Sequence, residues 1–167
     1  LVAAVATVAC CDIATGLVLQ LLPLLMERQS VPAWVIGVNA AMGPIGILLA
    51  GPFMPRIIAR YGSKTMAAMA IAVIITCLAS FKVLPFLWAW FLVRFVFGIF
   101  VGILFVISES WALTFAGEKS RGRIMGLYTS ALAVTFAAGP LILPFTGIDG
   151  WMPWAIGMIC VAISAVP

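Results

Sequence analysis

The sequence contains no histidine. That excludes zinc centres built on histidine, imidazole acid–base catalysis and serine–histidine relays. Charge is scarce as well. Asp, Glu, Lys and Arg make up 8% of the 167 residues, where a soluble domain carries about 25%. The four cysteines, Cys10, Cys11, Cys77 and Cys160, lie in apolar runs with no CxxC pair. They read as small buried hydrophobes and imply no metal. No HExxH segment occurs. An intramembrane aspartyl site needs two aspartates, and only Asp12 lies in a span, since Asp149 falls in a loop. The chain therefore reads as a non-enzyme without a cofactor. Apolar residues are abundant, at 65% hydrophobic, the composition of a membrane protein. The net charge of +4 flanks apolar spans, so it is assigned to membrane topology and not to a nucleic-acid partner.

About 20 residues of helix cross a bilayer. Polar and Pro/Gly breaks divide the chain into six such runs: 1–25, 33–55, 65–81, 86–112, 124–145 and 151–167. In lipid every backbone polar group must be paired internally, so the runs are expected to be helices and the fold class all-α. Residues 1–25 lack the basic start and small-residue cleavage site of a signal peptide. The second and fourth breaks hold Arg56, Arg60, Lys64, Lys119, Arg121 and Arg123, while the others hold Arg28 and Lys82. By the positive-inside rule those two breaks, and both ends of the six-span unit, are cytoplasmic. "AMGPIGIL" (41–48) resembles "AAGPLILP" (137–144) at a shift of 96 residues. That shift lays an external break over a cytoplasmic one, the mark of a 3+3 inverted repeat.

Asp12, Arg94 and Glu109 are charges within spans, and such charges normally face a cavity or a partner. In span 4, Arg94, Gly98, Gly102, Phe105 and Glu109 fall on one helical stripe, with Gly98 and Gly102 forming a GxxxG step for close helix approach. Asp12, Gly16, Gln20 and Pro23 make a similar stripe in span 1. Span 2 offers Asn39 with Gly43 and Gly46, and span 5 offers Tyr128 and Thr135. The six tryptophans sit near span ends, where an interfacial belt accounts for them.

The chain resembles the N-terminal six-helix half of a major facilitator superfamily transporter over essentially its whole length. Three motifs carry the likeness. "PRIIARYGSK" (55–64) resembles the family's Gly-x-x-x-Asp-Arg-x-Gly-x-Arg/Lys loop through Arg60, Gly62 and Lys64, with Pro55 and Ala59 departing from it. "RFVFG" (94–98) resembles its Arg-x-x-x-Gly element. "GLYTSALAVTFAAGP" (126–140) partly resembles its antiporter motif through Gly126, Gly139 and Pro140.

The resemblance implies a secondary transporter of small solutes, working by alternating access in a bacterial inner membrane. Its C-terminal six-helix half would lie elsewhere in a longer chain. It also implies that spans 1, 2, 4 and 5 line the cavity. Asp12, Gln20, Asn39, Arg94, Tyr128 and Thr135 are then expected on the substrate and proton pathway. Arg60, Gly62, Lys64 and Glu109 are expected at the cytoplasmic gate, with Glu109 paired to a loop cation such as Arg60. Asp12 and Arg94 differ in expected depth by roughly 8 Å, within reach of a direct or water-bridged pair. Asp12 is expected to carry a proton that Arg94 tunes, which couples protons to substrate. Facilitated uniport and a non-transporting receptor on the same fold are the competing readings.

Overall fold

The structure, a computed structural model, describes residues 2–84, 86–114, 121–148 and 150–164, with side chains in the first helix from Val8 onward. Lys119 and Asp149 lie outside the described residues. Among the described residues all regular structure is helical. The helices are α1 (Val2–Arg28), α2 (Ala33–Ala50), α3 (Met54–Tyr61), α4 (Ser63–Val83), α5 (Leu87–Thr114), α6 (Arg121–Ala138), α7 (Leu143–Thr146) and α8 (Met152–Ile163). The apolar runs over α1, α2, α4, α5 and α6–α7 are long enough to cross a membrane, and α8 is a shorter apolar helix. The 28 residues of α5 reach about 42 Å, more than the roughly 30 Å hydrocarbon layer, while the 12 residues of α8 reach about 18 Å.

Two segments differ from the sequence expectation. The charged segment after span 2 is a helix, α3. Met54 is buried and Ile58 packs on the core, while Arg56 and Arg60 are exposed. Gly62 ends α3 and precedes α4 at φ +85°. That conformation is open to glycine and strained for other residues, so this motif position is set by backbone geometry. Span 5 does not run through to residue 145. Helix α6 stops at Ala138, Pro140–Ile142 forms a 3₁₀ turn, and α7 follows with Pro144 near its start. Pro140 and Pro144, four residues apart, each lack an N–H and together remove two helical hydrogen bonds.

Lipid offers no hydrophobic drive between helices, so close packing and small residues hold them together. Helix α2 packs chiefly on α5, and α6 chiefly on α1; α4 packs on α5 as α8 packs on α1. Exchanging α1–α2–α4 with α5–α6–α8 preserves these pairings, which is the inverted repeat in three dimensions. A Cβ on Gly98 would strike the backbone of Gly43, and one on Gly46 would come 2.5 Å from Phe95 O. In the other crossing a Cβ on Gly139 would strike Ile13 O and come 2.5 Å from Leu17 N, and one on Gly16 would strike Phe136 O. Trp90 and Trp154 depart from the expected interfacial belt. Trp154 is buried and stacks on Phe81, with ring centroids 5.8 Å apart, and Trp90 Nε1 donates to Leu84 O at 2.8 Å. Trp34, Trp88 and Trp151 are exposed.

Candidate functional site

Between α1, α2, α5 and α6 lies a cavity of about 310 Å³. Its walls are mostly apolar, including Val18, Ile47, Phe97, Phe105 and Phe136. Asp12, Thr15 and Arg94 are the polar side chains in its lining. Thr15 Oγ1 donates to Cys11 O at 2.8 Å, so this hydroxyl's proton is used within its own helix. Asp12 and Arg94 are each 2% exposed. Both face the cavity, yet no ion pair joins them, and Arg94 Nη1 is buried without a hydrogen-bond partner.

The polar residues keep a fixed spacing to the crossing glycines. Gly16, Gly43, Gly98 and Gly139 form the two tight crossings. Four residues before each stands a polar residue: Asp12, Asn39, Arg94 and Thr135. In a helix that spacing places the polar group one turn from the contact. Asp12 on α1 and Arg94 on α5 thus each stand one turn before a crossing glycine, and both line the cavity.

The remaining expected pathway residues lie elsewhere. Gln20 is exposed and outside the cavity lining. At 100° per residue it sits roughly 80° around α1 from Asp12, whereas Thr15 and Leu19 share the cavity face. Asn39 also lies outside the lining. It forms the buried face of α2 together with Gly43 and Gly46, is 1% exposed, and neither of its side-chain polar atoms has a partner. Tyr128 is buried against α5. Ser108 Oγ donates to Phe105 O at 2.9 Å, so the 2.6 Å Tyr128–Ser108 hydrogen bond takes its proton from the phenol. Thr135 Oγ1 donates back to Ala131 O and Leu132 O, both at 3.0 Å.

On the α5 stripe, Arg94, Gly98 and Phe105 line the cavity, while Gly102 packs beneath Ile47 and Met54. Glu109 is exposed and makes no ion pair with Arg60. The Arg60 guanidinium instead stands 5.7 Å from the Tyr61 ring centroid. Lys64 is exposed beside Gly62. Thr15 and Ser108 escaped the sequence reading. Thr15 stands three residues after Asp12, a spacing that signals a shared face. The aromatic lining carries no such signal, because lipid-facing and cavity-facing phenylalanines look alike in sequence.

The family model of the Major Facilitator Superfamily matches residues 4–166. The chain is 29% identical over 150 residues to the MFS-type transporter YfkF of Bacillus subtilis (strain 168), covering 90% of this chain and 38% of that protein. An MFS-type transporter of Enterobacter sp. (strain 638) is 25% identical, with 86% and 38% covered. YcaD of Salmonella arizonae, also an MFS-type transporter, is 27% identical with the same coverage. The chain thus spans 38% of the length of these relatives.

Proposed function

The chain belongs to the Major Facilitator Superfamily, and from that premise we propose that it is the N-terminal half of a proton-coupled secondary transporter. It is an integral membrane protein of a family that moves small solutes, and we place it in a bacterial inner membrane with the α3 loop cytoplasmic. The partner half, a further six helices, covers the exposed sides of α2 and α6, the least buried of the long helices. Alternating access then opens the cavity to each side in turn, with Arg60, Gly62 and Lys64 at the cytoplasmic gate.

One observation carries the coupling. A carboxylate and a guanidinium, both buried, face one cavity without pairing. A carboxylate there can be held neutral or charged, whereas arginine stays protonated. Asp12 is accordingly the proton carrier, and Arg94 is the fixed charge that favours its release. The test is proton flux in proteoliposomes made with the full gene product and a panel of candidate solutes. Asp12→Asn and Arg94→Ala should each abolish solute-driven proton movement. Coupled flux that survives both substitutions would overturn the assignment.

A further inference from the structure

We propose that this cavity takes an amphipathic organic monocarboxylate, its carboxylate held by Arg94 and its apolar body by the aromatic wall. The inference rests on the reading of the cavity as the cargo site and deepens it to a substrate class.

The cavity leaves a buried donor unsatisfied. Arg94 is almost wholly buried and its Nη1 has no partner. A buried unpaired charge is costly, and evolution retains one where a ligand completes it. Among the described residues none completes it. Asp12 makes no ion pair with Arg94, Asn39 Oδ1 is itself unpartnered, and the Thr15 hydroxyl proton goes to Cys11 O. A guanidinium offers parallel N–H donors in a planar fork that fits a carboxylate bidentately.

The two charges are also unequal in what they permit. Asp12 can become neutral by taking a proton, whereas Arg94 stays charged. A cationic cargo would have to share the cavity with that permanent cation. An anionic cargo meets its counter-ion, and Asp12 can accept a proton to leave room for it.

The rest of the wall selects the remainder of the molecule. Phe97, Phe105 and Phe136, with Val101 and Ile47, offer no hydrogen bonds from their side chains. A polyhydroxylated sugar would leave its hydroxyls unpaired against them, while an aryl or alkyl body loses nothing. These three rings, from α5 and α6, also suit an aromatic body through edge and offset stacking.

The experiment is equilibrium binding of 2-naphthoate to the purified full gene product in detergent. Its neutral analogue 2-naphthylmethanol, its cationic analogue 2-naphthylmethylammonium, and glucose serve as comparisons. Saturable binding of 2-naphthoate is expected, with each comparison ligand weaker by about tenfold or more, the effect of one lost charge-assisted hydrogen bond. Arg94→Ala should remove binding, and Arg94→Lys, which keeps charge and loses the fork, should fall between. Asp12→Asn should bind 2-naphthoate at least as well as the parent, because the competing carboxylate is gone. Thermal unfolding of each variant distinguishes a lost site from a lost fold. Preference for the cation, or undiminished binding in a folded Arg94→Ala protein, would overturn the proposal. Binding needs no flux. A protein that moves another solute with protons but ignores 2-naphthoate sinks this inference and spares the transporter reading. One that binds 2-naphthoate through Arg94 yet moves nothing does the reverse.

Discussion

In the α2–α5 crossing Gly43 meets Gly98; in the α1–α6 crossing Gly139 meets Gly16. At the shift of 96 residues Asn39 corresponds to Thr135, and Gly43-Pro44 to Gly139-Pro140. The two crossings share a plan and diverge in two ways. Helix α2 runs on through Pro44 to Ala50, while α6 breaks just before Pro140. Pro44 is followed by residues that all donate backbone N–H groups, but Pro140 is followed by Pro144, which removes a second bond nearby. The polar position also diverges. Thr135 satisfies its hydroxyl on its own helix, and Asn39 leaves both amide atoms buried and unpaired. A repeat therefore fixes where helices cross and where polar groups stand, while residue chemistry decides which crossing keeps unsatisfied polarity. The unsatisfied crossing is the one that also holds Arg94.

The largest expected effect comes from breaking the crossings themselves. Gly98→Val and Gly139→Val each drive a side chain into facing backbone, a clash worth about 1–3 kcal/mol or more. Both should sharply lower the unfolding midpoint in detergent, whereas Gly43→Ala, with open space at its Cβ, should leave it nearly unchanged. A Gly98→Val protein as stable as the parent would mean that the α2–α5 crossing is not formed as described. Next is Arg94→Met, which removes an unpartnered buried charge and should raise stability by about 1–3 kcal/mol while solute-driven proton flux is lost. A fall in stability would instead mark a structural role.

Asn39→Leu should stabilise by about 1–2 kcal/mol, and its counterpart Thr135→Val by much less, because that hydroxyl is already bonded. Equal responses would erase the contrast between the crossings. The smallest effect is expected from Tyr128→Phe. It deletes the hydrogen bond to Ser108, for a loss of about 0.5–1.5 kcal/mol, and leaves Ser108 bonded to Phe105 O.

Much of the architecture was legible in the residues. Long apolar runs located the membrane helices, and the Gly-Pro pair revealed the repeat. Helix α3 was missed because its Arg56, Arg60 and Gly62 read as a loop, while its Met54–Ile58 face is a four-residue spacing too short to announce a helix. The site was half legible. Asp12 and Arg94 stood out because charge in an apolar run is rare. Gln20, Tyr128 and Thr135 were assigned to the same cavity because polar residues within spans look equivalent in sequence. Folding separated them: a rotation around α1 took Gln20 away, and hydrogen bonds absorbed the two hydroxyls.

The sequence by itself determined that this chain is helical and membrane-embedded, and it singled out the two charges that line the cavity, since both follow from local composition and the cost of unpaired backbone in lipid. Only the tertiary structure decided that Asp12 and Arg94 share a cavity without pairing and that Asn39 is sealed into a helix contact. Those outcomes depend on which backbones approach closely enough for glycine alone, a property of helix pairs that no single helix carries.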